Sequence, residues 1–265
     1  MDLRRSPRPP LSAFVELFWY LEAAPQPHAQ ERLLPTGTLE LVIPLHEERS
    51  RFYDPRDLTR FRDHRGPLLV GAQSGYVVID AVHTAVMGAH FRPGGAFPFL
   101  GVPASEVEDH ALSLEDIWGR EAGWLREQIL AADSPGAKLD VLERTLLARA
   151  TTLERHPAVA FAISELSGMR RVADVVEQIG LSSRRFIQLF HEQVGLTPKR
   201  FSRVRRFQDV IAGIETAAQL VWTDLALNCG YYDQAHFIHD FRNFSGLNPA
   251  QYLVERIDRP NHVPL

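Results

Sequence analysis

A short pattern occurs twice near the C-terminal end of this chain, and it restricts the fold more than any other feature. The first copy reads Gly180-Leu-Ser-Ser-Arg-Arg-Phe186, followed by Phe190, Gly195, Pro198 and Phe201. The second reads Gly230-Tyr-Tyr-Asp-Gln-Ala-His-Phe237, followed by Phe241, Gly246, Pro249 and Tyr252. The leading glycines are 50 positions apart and every later landmark 51, so the second copy has one extra residue in its turn. Each proline follows a side chain suited to capping, in Thr197-Pro198 and Asn248-Pro249, which marks the first turn of a helix. Glycines, prolines and aromatics are kept while the polar residues change. That is the signature of one helical scaffold used twice on different surroundings.

The 265 residues suffice for two domains, and 45% hydrophobic with 23% charged residues is the balance of a soluble globular protein. A formal charge of −4 gives no general pull toward nucleic acid. Its distribution is uneven: from residue 158 onward the net charge is +1, against −5 for the rest. Lys199, Arg200, Arg203, Arg205 and Arg206 fall within eight positions, and such a local patch matters more to a phosphate partner than net charge. The lone Cys229 excludes an internal disulfide framework and a cysteine-rich zinc site. The basic N-terminus with the stretch Leu11–Leu21 imitates a signal peptide, but Pro9, Pro10 and Glu16 interrupt it. No apolar run is long enough to span a bilayer. A soluble, cytoplasmic protein is expected.

The first hundred residues alternate apolar runs with turn residues. Phe14–Leu21, Thr38–Leu45, Pro67–Gly71, Tyr76–Asp80 and Thr84–Phe91 read as strands, and Leu45–Arg65 as an exposed charged loop. Beyond Arg92-Pro-Gly-Gly95 the period becomes helical. Ser113 with Asp116 signals entry to a helix at Leu114–Trp118. Trp124, Leu125, Gln128 and Ile129 then share one face, and Leu139, Leu142, Leu146 and Leu147 the next stripe. His156-Pro157 is the best boundary, dividing residues 1–157 from 158–265. The pattern predicts helices near 158–167, 172–179, 183–194, 198–213, 222–229, 233–244 and 249–256.

In a helix-turn-helix the second helix enters the major groove with its early residues on base edges. Gly180 and Gly230 occupy the tight turns, where a left-handed conformation favours glycine. With Phe186, Leu189 and Phe190 turned inward, Ser183, Arg184, Ile187 and Gln188 point out. Arginine can bind guanine and glutamine adenine bidentately, and an exposed isoleucine can meet a thymine methyl. In the second unit Phe237 and Phe241 point in, leaving Gln234, Ala235, Ile238, His239 and Arg242 outward, a less basic face near Asp233 and Asp240. The first unit is therefore expected to carry more of the base readout. Thr197, Lys199, Arg200, Arg203, Arg206 and Arg242 are expected at phosphates, so Arg203→Ala should weaken all sequences alike and lower the salt slope.

Residues 158–255 resemble the DNA-binding domain of the AraC/XylS family of bacterial transcription regulators, most closely over Gly230–Tyr252, and Phe190–Phe201 is similar to the first-unit counterpart. The resemblance implies seven helices, two helix-turn-helix units joined by a long helix, and recognition helices in successive major grooves on one face of double-stranded DNA. This sequence departs from the pattern at Val176, where a small alanine is usual, and at Ala212-Gly213, which should loosen the linker helix. Leu34–Val42, Gly88–Ala96 and Phe99–Pro103 resemble an N-terminal domain found in a subset of the family. The fold class expected is an α+β regulatory domain, a small β-barrel-like sheet plus helices, followed by an all-α domain with two helix-turn-helix units. A sensor or dimerisation role follows for the N-terminal half. RNA polymerase, a small-molecule effector and a second copy of the chain are the further partners this implies, with no membrane.

Trp19, Tyr20, Phe91 and Arg92 are the candidate lining of an effector pocket, although such aromatics also serve as plain core. Arg92–Gly95 reads either as an anion-binding turn or as a strand-to-helix connection. His28, His46, His64, His83, His90 and His110 form no metal-ligand spacing, so neither metal nor cofactor is expected. Phosphate-cradling glycine loops and nucleophile elbows are absent. A DNA-repair methyltransferase fused to this type of domain needs N-terminal cysteines, and residues 1–228 have none. A regulator rather than an enzyme is expected.

Overall fold

The computed structural model describes residues 1–24, 26–46, 49–81, 84–216, 220–259 and 261–265. The N-terminal part contains two antiparallel sheets. The first comprises β1 (Asp2–Arg5), β2 (Val15–Glu22), β4 (Glu40–Pro44), β7 (Leu68–Val70), β9 (Ala85–Phe91) and β10 (Ala111–Ser113), in the order β1-β2-β9-β4-β7-β10. The second comprises β3 (Gln30–Leu33), β5 (Arg49–Asp54), β6 (Asp57–Arg65), β8 (Val77–Asp80) and β11 (His262–Pro264), in the order β11-β3-β8-β5-β6. Alternation puts Phe18, Tyr20, Met87, Ala89 and Ile43 on one face of the first sheet, all buried.

Helices close that face. After α1 (Phe97–Leu100) and α2 (Leu114–Trp118) come α3 (Arg120–Ala131) and α4 (Pro135–Arg149), and α4 meets the sheet through charge as well as packing. Arg5 on β1 donates to Asp140 at 2.7 Å and to the buried Glu143 at 3.1 Å, and Arg8 donates to Glu143 at 2.8 Å. On α3 the inward residues are Ala122, Leu125 and Ile129, whereas Trp124 is 56% exposed. The expected stripe was thus rotated: the true contact follows i, i+3, i+7 from Ala122, and Trp124 lies off it. Leu147 likewise faces solvent while Leu139, Leu142 and Leu146 are buried. Ser113 caps α2 by accepting from the Glu115 amide.

Five of the sheet strands fall where alternation predicts them. The expected loop at 45–65 contains instead the hairpin β5–β6, whose register pairs Arg51 with Asp63 and Tyr53 with Phe61. Strand β6 is mostly exposed on both faces and β5 is largely half-buried with a serine as its one buried residue, so no apolar alternation marks them. Cross-strand contacts sustain it, with the Tyr53 and Phe61 rings 5.5 Å apart and Arg51 stacked 5.0 Å above Phe61.

The rest is helical: α5 (Pro157–Ser167), α6 (Val172–Ile179), α7 (Ser183–Val194), α8 (Pro198–Thr216), α9 (Trp222–Asn228), α10 (Gln234–Ser245) and α11 (Pro249–Glu255). Caps and prolines place these ends. Asn248 forms a full capping box with Gln251, and Thr197 Oγ1 accepts from the Arg200 amide. Gly213 does not loosen α8, which continues to Thr216; a Cβ there would lie 2.4 Å from Leu225 Cδ1, so glycine lets α9 approach.

The two parts share one continuous core and several polar ties. Beyond α11 the chain returns to the N-terminal part, where β11 pairs with β3 at the edge of the second sheet. Beneath that strand the buried Glu31 accepts from His262 Nδ1 at 2.8 Å and lies near His28 and Arg259. Burial alone would raise the Glu31 carboxyl, but these cationic partners outweigh it and hold the pKa at about 2. The loop after β7 reaches both repeats. Ala72 lies against Gly195, Gly75 near the Asn243 carbonyl, and Tyr76 against Gly246.

Candidate nucleic-acid interface

In the first unit α6 ends at Gly180, whose φ of +72° is the left-handed turn expected there. Ser182 then caps α7 by accepting from the Arg185 amide at 3.3 Å. Phe186, Leu189, Phe190 and Val194 form the buried face, with Phe186 and Phe201 each packed edgewise or tilted against Phe190. Opposite them Ser183, Arg184, Ile187 and Gln188 are exposed, and Arg184, Ile187, Gln188 and His191 line one shallow depression. Ile187 is 42% exposed, a free apolar side chain among polar ones. Gln188 donates to Glu192 at 2.8 Å.

The second unit repeats this geometry. Gly230 has φ +75°, and Asp233 caps α10 by accepting from the His236 amide at 2.7 Å. Phe237, Asp240, Phe241 and Phe244 are buried, and Gln234, Ala235, His239 and Arg242 face out. Ile238 departs from expectation: it is half-buried and packs against the core, unlike its counterpart Ile187. Tyr232 was missed as a candidate. It is 83% exposed and stacks on His236 beside the start of α10, signalled in sequence only by an aromatic residue within a turn.

The basic residues of α8 divide sharply. Lys199 is exposed, as is Arg242 on α10. Arg200 pairs with Glu108, a residue after the 3-10 turn Ala104–Val107 of the N-terminal part, and Glu108 also accepts from His191 Nε2 at 2.8 Å. Arg203 donates to Asp240, and Arg206 stacks over the Tyr231 ring at 5.1 Å. Arg200, Arg203 and Arg206 are thus engaged within the protein instead of presented freely to phosphate, because tertiary contact brings them acidic or aromatic partners.

Two family models match the chain. Residues 175–254 match one described as a helix-turn-helix domain. The C-terminal region is an AraC-type helix-turn-helix domain. Residues 3–113 match a model described as a domain of unknown function (DUF6597). No curated protein matches the chain. Among solved structures, similarity extends to ToxT from Vibrio cholerae. An apo form shows 12% identity over 96% of this chain and 97% of that one, with a TM-score of 0.46. A form bound to unsaturated fatty acid shows 10% identity over 95% and 94%, with a TM-score of 0.46. A form bound to (E)-4-(8-methylnaphthalen-1-yl)but-3-enoic acid shows 9% identity over 96% and 98%, with a TM-score of 0.48.

The AraC-type domain is that of a DNA-binding transcription regulator. No helix among the described residues is long and apolar enough to cross a membrane, and no cluster of metal-ligating side chains occurs among them. His83 lies outside the described residues. The four residues proposed for an effector pocket do not converge. Tyr20 and Phe91 are buried on the helix-covered face, Phe91 against Phe99 at 5.7 Å, and Arg92 donates to the Ser12 carbonyl at 3.0 Å. Alternation sends Trp19 to the opposite face. There its indole nitrogen is buried without a partner, and its ring sits 6.0 Å from His90, which pairs with Glu40 at 3.3 Å. Arg92–Gly95 is a packed turn: Gly95 donates to the Arg92 carbonyl, and a Cβ on it would lie 1.9 Å from the Phe14 carbonyl.

Proposed function

We propose that this protein is a sequence-specific regulator that reads two sites on double-stranded DNA, spaced by about one helical turn. The observation that carries this reading is the outward face of α7, where Arg184, Ile187 and Gln188 stand together on a helix whose opposite side is sealed in the core. Arg184 and Gln188 are matched to guanine and adenine edges and Ile187 to a thymine methyl, with Ser183 beside them. Gln234 and His239, joined by Tyr232, face the second site. Ile238 lends its exposed edge only. Thr197, Lys199 and the start of α8 take one phosphate and Arg242 another, while Arg200 becomes free for phosphate when Glu108 releases it.

The N-terminal part modulates this from two directions, through Glu108 on the first unit and Tyr76 on the second. A small-molecule effector fits the face bearing Trp19, His90 and Glu40, where an unpartnered indole N–H awaits an acceptor. Dimerisation through the same part and contact with RNA polymerase complete the proposed role in the cytoplasm. Selection of bound sequences from a random DNA pool at two salt concentrations tests the reading. Two boxes about one turn apart support it, and a single box or none overturns it. Arg184→Ala should relax base preference at one position of the first box by about 1–3 kcal/mol.

A further inference from the structure

The second recognition helix carries a carboxylate where the first carries a leucine. Asp240 stands 51 positions after Leu189, and both lie on the buried face, at 2% and 7% exposure. An isolated buried carboxylate is strongly unfavourable. Its partner comes from α8: Arg203 Nη2 donates to Oδ1 at 2.7 Å, and Nε reaches toward Oδ2 at 3.5 Å. The same guanidinium lies 5.3 Å from the Phe244 ring centre, and His236 Nε2 stands 3.7 Å from Oδ2. One turn along α8, Arg206 covers Tyr231 in the turn before α10.

Apolar contacts, such as those of Leu189, are satisfied over a range of helix rotations. A guanidinium fork on a carboxylate is not, since its bonds are planar and directional. We propose that Arg203 is a positioning residue: with Asp240 it fixes the rotation of α10 against α8, and so decides which side chains face the second DNA box. This rests on the two-box reading above and replaces the phosphate role expected for Arg203. The pair makes the second unit's specificity depend on a contact that touches no DNA.

The test uses the full chain and two DNAs, one with both selected boxes and one with the second box scrambled. Affinities and salt slopes are measured for the wild type, Arg203→Lys and Asp240→Asn. The expected result is a preference for the intact second box reduced by about 10-fold in both variants, with first-box affinity and salt slope preserved. If Asp240→Asn instead tightened both DNAs alike while Arg203→Lys changed nothing, Arg203 would be a phosphate contact and the inference overturned. Equal loss on both DNAs would make the pair a general stability element and would also overturn it. A wild type that ignores the second box would sink the two-box reading itself, whereas a wild-type preference retained in both variants would sink only this inference.

Discussion

The two helix-turn-helix units share landmarks but are held in place by different forces. In the first, α7 rests on Phe186, Leu189, Phe190 and Val194, an apolar face, and polar ties lie toward its far end, where His191 and Arg200 meet Glu108 and Gln193 accepts from the His156 amide. In the second, α10 has a buried carboxylate within its hydrophobic face, paired with the partly exposed Arg203, and an aromatic neighbour, Tyr76, against its terminal glycine. The chain's last strand then ties the segment beyond α11 to the N-terminal sheet. A repeated scaffold therefore need not repeat its anchoring. Apolar packing keeps the first unit in place without specifying direction, and directional polar contacts set the second.

Exchanging the distinguishing residue gives the largest expected effect. Leu189→Asp buries a carboxylate with no arginine to meet it and should cost about 3–5 kcal/mol. Asp240→Leu should cost less than about 2 kcal/mol, because Arg203 is partly exposed and regains water. Equal costs in thermal or denaturant unfolding would erase the distinction. The tail tie is sensitive to acid. Glu31 is held at about 2, below its ordinary 4.5, so its contribution is fully present above pH 4.5 and is lost as pH falls toward 2. That contribution is of order 3 kcal/mol, and Glu31→Gln should flatten the dependence of stability on pH over this window.

Smaller differences sharpen the contrast at the turns. Gly195→Ala, at the position matching Gly246, meets nothing closer than 3.2 Å and should cost little beyond the left-handed strain, about 1 kcal/mol. Gly246→Ala adds a collision, since its Cβ would lie 2.7 Å from Tyr76, and should cost about 2–3 kcal/mol. Tyr76→Ala in the same chain should abolish the excess; if it does not, the N-terminal loop does not bear on the second unit. The smallest effect concerns the paired isoleucines. Ile187→Ala should leave the melting temperature nearly unchanged yet lose preference for one thymine, while Ile238→Ala should cost about 1 kcal/mol of stability with little change in base preference.

Much of the helical half was legible from local chemistry. Gly180 and Gly230 mark turns, Pro198 and Pro249 mark helix starts, and aromatic spacing marks the inward faces, all of which act within a few residues. The strands β2, β4, β7, β8 and β9 were legible for the same reason, as each is a short apolar run closed by turn residues, whether buried on alternate residues as in β2 or almost throughout as in β7 and β9. The hairpin β5–β6 was not, because β6 is exposed on both sides and β5 buries no regular apolar face. Neither was the tail strand β11, whose place is set by a partner more than two hundred residues away. At the interface the outward set on α7 followed from helical spacing. Asp240 reads in the sequence as lying beside the outward face of α10, whereas it is buried, because its partner Arg203 comes from 37 residues earlier on another helix.

By itself the sequence determined a duplicated helical scaffold, its turns and caps, and the side chains on the outward face of α7. Such features depend on backbone preferences and periodicity, which operate over one or two turns. Only the tertiary structure decided which cations remain free. Lys199, Arg200, Arg203 and Arg206 look alike along the chain, yet one faces solvent, two meet carboxylates and one covers a ring. Charge is a property of the residue, but its availability is set by what long-range folding brings within about 3–5 Å of it.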